Sequence, residues 1–89
     1  MQIVYNKNNI NLNYLNNYVK FFIDDGYLYL YNTLYNKEVI LKSSNNNLKE
    51  LLTALHRGTN YKQLIKILKK ISEKPKNLYE YLLRNFIVE

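Results

Sequence analysis

The chain has 89 residues and a formal net charge of +6, and it contains no cysteine. Its length predicts one domain with a single modest core, and the missing cysteines exclude disulfides and thiolate metal sites. No apolar run reaches the roughly 18 residues that a membrane helix needs, and no signal-peptide pattern opens the chain, so we expect a soluble, cytoplasmic protein. The positive charge is concentrated between Arg57 and Lys76 and brings nucleic acids, anionic lipids and acidic peptides into consideration as partners.

The amino-terminal stretch 1–17 predicts an arm or an extra short strand. Its apolar run Ile3-Val4-Tyr5 is followed by a polar, turn-prone segment rich in asparagine. We place the main domain at residues 18–89, where the pattern becomes regular.

A β-hairpin is predicted around Asp25-Gly26, because this dipeptide lies between two runs of alternating residues. With these two residues as the turn, the strands pair Ile23 with Leu28, Phe21 with Leu30, Phe22 with Tyr29, and Lys20 with Tyr31. The aliphatic face is then predicted to be core, and the tyrosine-rich face to be half-buried or exposed.

The segment Lys37–Lys42 predicts the last strand of the sheet, and therefore an edge. Its three consecutive apolar residues place side chains on both faces, so we expect both faces to be covered. The unpaired backbone groups of this edge would either receive an added strand or be covered, by the arm at 1–17 or by a second copy in a dimer.

Three helices are predicted after the sheet. The first is capped by Asn47 and stopped by Gly58, and the second is capped by Thr59 or Asn60. The second helix carries an apolar side that extends to Ile71 and a basic side formed by Lys62, Lys66, Lys69 and Lys70. This basic side is first of all a solvated face; steering of an acidic partner comes second, and DNA binding third.

The third helix is predicted from Leu78 to about Asn85, with Asn77 as its cap and Pro75 ending the region before it. Its apolar residues spread over a wider arc than one core contact needs. Part of that arc is therefore expected to face a groove or a partner.

Catalytic constellations are missing from the pattern. His56, beside Arg57 at a helix end, is expected to interact with terminal carbonyls, and Asp24 and Asp25 are interpreted as turn residues. We see no Gly-rich phosphate loop and no metal-ligand spacing. The sequence therefore predicts a binding protein rather than an enzyme, with no cofactor and no metal.

Two binding modes remain open. A winged-helix DNA-binding protein would use the lysine side for phosphates, but the third helix offers few side chains for base readout. Alternatively, an extended peptide pairs with the edge strand by β-augmentation and places side chains against the third helix.

The chain resembles the RiPP recognition elements, which bind the leader peptides of ribosomally synthesised, post-translationally modified peptides. This family includes the small accessory protein of pyrroloquinoline quinone biosynthesis, lasso-peptide leader-binding proteins and the peptide clamp of microcin-type enzymes. The resemblance covers about residues 18–88, by pattern and order, and lies in these segments: Val19 to Leu30 with its Asp24-Asp25-Gly26 turn, Lys37 to Leu41, Leu55-His56-Arg57-Gly58-Thr59, and Leu78, Leu82-Leu83 and Asn85-Phe86-Ile87-Val88.

The resemblance implies an α+β, winged-helix-like fold, with a three-stranded antiparallel sheet followed by three helices. It also implies that the leader adds as a strand between the third strand and the third helix. The implied peptide-binding residues are Lys37, Glu38, Val39, Ile40, Leu41, Lys42, Leu78, Tyr81, Leu82 and Asn85.

The implied partners are the leader region of a precursor peptide and a modifying enzyme of the radical-SAM, adenylating, cyclase or protease type. No membrane partner is implied, and DNA is kept as the alternative. Asn36 and Asn85 stand where glycine is common in the family; asparagine tolerates the left-handed conformation better than most residues do.

Overall fold

The structure is a computed structural model, and it describes residues 12–89. The segment Ile3-Val4-Tyr5, predicted as part of an arm or short strand, lies outside the described residues. The fold is α+β. Its elements in chain order are β1 Leu12–Asn13, β2 Val19–Asp24, β3 Tyr27–Asn32, β4 Lys37–Lys42, α1 Asn45–Arg57, β5 Thr59–Asn60, α2 Tyr61–Leu68 and α3 Pro75–Arg84.

The main sheet is antiparallel and has three strands in the order β2, β3, β4. The predicted hairpin register is confirmed, with Ile23 opposite Leu28 and Phe22 opposite Tyr29. Asp25 and Gly26 both have positive φ, 49° and 82°, as a two-residue type I′ turn requires.

The inner face of this sheet forms the core together with the helices. Leu28 and Leu30 are buried, as the alternation predicted, and Val39 from β4 is 1% exposed. Phe21 was predicted to be core with them but is 50% exposed. Because β2 is an outer strand, its side chains have strand neighbours on one side only.

The outer face of the sheet is open along much of its width. Phe22 is exposed and stacks on the half-buried ring of Tyr29, with 4.6 Å between ring centroids. This face was predicted to be half-buried or exposed, and that is confirmed. Ile40 on β4 is 51% exposed, so the expectation that both faces of β4 are covered is wrong for its outer face.

Helix α1 begins earlier than predicted. Ser44 is its N-cap, and the Ser44 hydroxyl accepts a hydrogen bond from the Asn47 backbone N–H at 3.2 Å. The predicted cap at Asn47 is wrong, because this residue already lies in the first turn. Gly58 follows the helix with φ of 91°, in agreement with the predicted stop.

Helices α2 and α3 divide differently from the prediction. Asn60 caps α2, accepting a hydrogen bond from the Gln63 N–H at 2.8 Å, as expected, but the helix ends at Leu68 rather than reaching Ile71. Pro75 begins α3 instead of ending the region before it. A proline suits the first helical position, since its missing N–H has no helical partner there. The predicted cap at Asn77 is wrong, because this residue already lies in the first turn of α3.

The carboxyl end of α3 closes with a left-handed residue. The N–H groups of Phe86 and Ile87 donate to the Leu83 and Leu82 carbonyls, both at 3.0 Å, which is the Schellman pattern. Phe86 has φ of 56°, whereas Asn85 has φ of −97°. Of the two asparagines at glycine-like positions, only Asn36 is left-handed, with φ of 58°.

The buried amide of Asn32 joins this helix end to the sheet. Its Nδ2 donates to the Phe86 carbonyl at 2.7 Å, and its Oδ1 accepts from the N–H groups of Leu34 and Tyr35, both at 2.9 Å. The ring of Tyr35 also stacks on Phe86, with centroids 4.3 Å apart. One side chain thus holds the β3–β4 turn and the end of α3 together.

A second, two-stranded sheet holds the start of the described chain. Leu12 pairs with Asn60 and Asn13 with Thr59. The following residues continue this attachment, since the Asn16 N–H donates to the Ile87 carbonyl at 2.9 Å.

We predict that Asn32→Ala lowers the free energy of unfolding by about 2–4 kcal/mol, because it removes three hydrogen bonds and leaves the Phe86 carbonyl unpaired. Asn46→Ala is the matched control, since Asn46 is exposed in the first turn of α1, and it should change stability by less than about 0.5 kcal/mol. Urea unfolding followed by circular dichroism measures both. Equal stability of the two variants would contradict the structural role of Asn32.

Candidate functional site

Strand β4 forms one edge of the main sheet. It pairs with β3 along its full length, from Asn32 opposite Lys37 to Tyr27 opposite Lys42, and with no other described strand. This is the position expected from the sequence for Lys37–Lys42.

The direction of the free backbone groups on β4 follows from one bond at the end of the strand. The Ser43 N–H donates to the Gly26 carbonyl on the β3 side, at 2.9 Å. Because neighbouring residues of an antiparallel strand direct their backbone groups to opposite sides, Glu38, Ile40 and Lys42 direct theirs away from β3. Within the described part of the chain, each of these three residues therefore offers an unpaired donor and an unpaired acceptor at the edge.

The side chains of β4 separate into two sets. Lys37, Glu38, Ile40 and Lys42 are exposed, whereas Val39 and Leu41 are 1% and 7% exposed and belong to the core. The sequence named all six residues for a peptide site. In this fold Val39 and Leu41 anchor the strand in the core. The groups available for contacts at the edge are the outward backbone groups and the side chain of Ile40.

The predicted residues of α3 are also divided. Leu82 is fully buried, and Leu78 is half-buried against the core. Tyr81 is 42% exposed, and Asn85 donates from Nδ2 to the Tyr81 carbonyl of its own helix at 2.8 Å. Tyr81 is therefore the apolar side chain among these four that has most surface available.

The wide apolar arc of α3 has two flanks with different surroundings. On one flank, the Tyr79 hydroxyl donates to Asn13 Oδ1 at 2.9 Å, and the Tyr79 ring meets Tyr61 edge to face. Tyr81 follows two residues later and so lies on the other side of the helix, about 160° around the axis. The expectation that part of this arc is left outside the core agrees with the exposure of Tyr81.

The structure brings the end of α3 to the beginning of β4. Phe86 contacts Asn32, the last residue of β3, and Tyr35, which lies in the turn leading into β4. At the far end of β4 the surroundings differ, because the Lys42 ammonium lies 5.6 Å from the centroid of the Tyr27 ring. Of the two predicted sets, Asn85 and Lys37 are the members next to this junction, since Asn85 directly precedes Phe86 and Lys37 pairs with Asn32.

One part of the surface beside β4 was not included in the sequence-based site. The outer face next to Ile40 carries the partly exposed aromatic rings of Phe22, Tyr27, Tyr29 and Tyr31. The sequence signal for this face was the alternation of tyrosines in the hairpin. Because tyrosine is frequent throughout the chain, this alternation alone did not indicate a binding surface.

The four lysines of the predicted basic side are all exposed, as predicted for a solvated side: Lys62 and Lys66 within α2, and Lys69 and Lys70 just after its end. Lys70 forms an ion pair with Glu50 of α1, with 2.9 Å between Nζ and Oε1. The positive field of this side is therefore partly neutralised at one end.

Chemical groups for catalysis do not converge in the described residues. His56 is exposed near the end of α1, and Asp24 and Asp25 are exposed at the hairpin turn. Residues 12–89 contain no cluster of three histidine or acidic side chains placed to hold a metal ion. Across this same range, every helix is too short or too polar to span a membrane.

Comparisons with protein-family models, curated proteins and solved structures found no match for this chain.

We predict that Ile40→Pro retains a cooperative unfolding transition. The Ile40 N–H faces away from β3, and an edge strand tolerates proline where its N–H side is unpaired. Leu41→Pro is the matched variant: it removes a bond to β3 and a buried side chain, and should cost about 3 kcal/mol or more. Thermal unfolding of both proteins checks the alternation, and similar losses in the two variants would show that the assignment of outward groups is wrong.

Proposed function

We propose that the protein is a non-catalytic leader-peptide-binding module. An extended segment of a ribosomally synthesised precursor adds to β4 as a further strand and is presented to a modifying enzyme. The observation that carries this proposal is the row of outward backbone donors and acceptors at Glu38, Ile40 and Lys42.

The energetics of strand addition fit such a role. New backbone hydrogen bonds contribute a net of about 0.5–1.5 kcal/mol each, and an apolar anchor about 1.5–3 kcal/mol when fully buried. Ile40 and Tyr81 offer exposed apolar surface for peptide side chains. After the costs of association and peptide ordering, a dissociation constant of about micromolar order is expected.

The order of the elements supports the same proposal. A three-stranded antiparallel sheet precedes three helices, and the edge strand of that sheet begins beside the end of the last helix. A three-stranded antiparallel sheet followed by three helices is the order that a resemblance to the RiPP recognition elements implies. On this proposal, the protein works in the cytoplasm with a modifying enzyme of the radical-SAM, adenylating, cyclase or protease type, and needs no cofactor.

A winged-helix DNA-binding protein is the second candidate, and two observations favour it. The lysines of α2 are exposed, and α3 begins early enough to place Lys76 and Asn77, both exposed, in its first turn. Lysine and asparagine are side chains that contact phosphates and base edges. The remainder of α3 is less suitable, because its exposed residues there include Glu80 and Tyr81.

The first test is a fluorescence-anisotropy titration with the amino-terminal half of a precursor peptide encoded beside this gene. We expect saturable binding that persists at physiological salt. Ile40→Pro should weaken it by about tenfold or more because it removes a donor, while Ile40→Val keeps the donor and should bind within about threefold of wild type.

A labelled DNA duplex of random sequence provides the second arm of this experiment. We expect DNA binding to fade as salt rises. Equal peptide affinity of folded Ile40→Pro and Ile40→Val would contradict strand addition, and tight, steeply salt-dependent DNA binding without peptide binding would favour the winged-helix candidate.

A further prediction concerns the helix side of the site. Tyr81→Ala should weaken peptide binding by about threefold to thirtyfold without a loss of stability, because it removes an exposed apolar surface. Glu80→Ala, at an exposed neighbouring position on α3, should leave affinity unchanged. Equal affinities of the two variants would remove α3 from the site and leave the strand alone.

A further inference from the structure

A groove of about 480 Å³ lies between α1 and α2, on a part of the surface that the strand-addition site does not use. Its lining includes apolar surface from Ala54, which is half-buried, and from Ile67, which is 9% exposed. No residue of β4 lines it. The groove is therefore a second surface, separate from the strand-addition site.

The charges around the groove are unequal in number and in pairing. Arg57, Lys66 and Lys70 line it together with one acid, Glu50. Because Glu50 is already paired with Lys70 at 2.9 Å, Arg57 and Lys66 are left without a carboxylate partner among the described residues. The result is an apolar lining with two available cations.

This combination fits an acidic peptide better than a nucleic acid. Carboxylates of a peptide can pair with Arg57 and Lys66, while an apolar side chain of the same peptide covers Ala54 and Ile67. A phosphodiester backbone carries a charge on every nucleotide and no aliphatic side chain, so it would leave the apolar surface of Ala54 and Ile67 uncovered.

We propose that this groove binds an acidic segment of a partner protein, one that carries glutamate or aspartate beside an apolar residue. This binding is independent of strand addition at β4, and it gives the protein a second contact surface with different chemistry.

The test uses a fluorescein-labelled peptide in which glutamates flank two leucines, titrated against the full chain by anisotropy. Saturable binding that weakens as sodium chloride rises is expected. Lys66→Glu and Arg57→Glu should each reduce the affinity by about tenfold or more. Lys62→Glu is the matched control on the same helix, since Lys62 is exposed but does not line the groove, and its affinity should stay within about threefold of wild type.

Several outcomes would overturn the proposal. These are the absence of saturable binding, an equal loss in Lys62→Glu and Lys66→Glu, or equal binding of a peptide with lysines in place of the glutamates. A random DNA duplex that displaces the labelled peptide and loses affinity in Lys66→Glu would assign the groove to nucleic acid instead. Ile40→Pro should leave this binding unchanged, so failure of the groove and failure of strand addition are distinguishable.

Discussion

The amide of Asn32 is the interaction on which the relation between sheet and helices most depends. It is fully buried at the end of β3, and all three of its described hydrogen bonds go to backbone groups. Two of them shape the turn into β4, and the third holds the carbonyl of Phe86 after α3. Since an unpaired buried polar group is costly, these segments cannot separate without breaking bonds that water could not easily replace at this depth.

The conformation of Phe86 is a consequence of the same junction. A left-handed aromatic residue is sterically unfavourable, and glycine is the usual choice at the end of a helix. Here several contacts hold Phe86 in this conformation. Its N–H donates to the Leu83 carbonyl, its carbonyl accepts from Asn32, and its ring stacks on Tyr35. The next N–H, that of Ile87, donates to the Leu82 carbonyl. The local cost is offset by contacts that place the end of α3 beside the start of β4.

Local signals in the sequence were sufficient to predict the three-stranded sheet but not the junction between Asn32 and Phe86. The hairpin register could be predicted because Asp25-Gly26 admits few turn geometries, and period-two patterning then fixes every pair. The start of α1 could not, because Ser43, Ser44 and the asparagines after them are all good caps, and packing decides among them. The bond from Asn32 to Phe86 joins residues 54 positions apart, which no local pattern reports.

For the candidate site, the sequence predicted the strand but not which of its apolar side chains are buried and which are exposed. Consecutive apolar residues at Val39, Ile40 and Leu41 gave no indication of which face would be left open. That depends on how far the helices extend across the sheet, and the result is a core on one side and Ile40 half exposed on the other. The charged residues Lys37, Glu38 and Lys42 follow the usual protection of an edge strand, since charges discourage unspecific pairing while leaving the backbone groups available.

The two proposed surfaces are joined by a small set of hydrogen bonds. Asn47 in the first turn of α1 donates from Nδ2 to the Ser43 hydroxyl, just after β4, and to the Lys70 carbonyl, just after α2. Lys70 in turn reaches Glu50 on the rim of the groove. The side-chain amide of Asn47 therefore links the end of β4, where a strand would be added, to the end of α2, which forms one wall of the groove. The first surface selects for an extended backbone and the second for charge, so a partner that satisfied both would be recognised more narrowly than either surface allows alone.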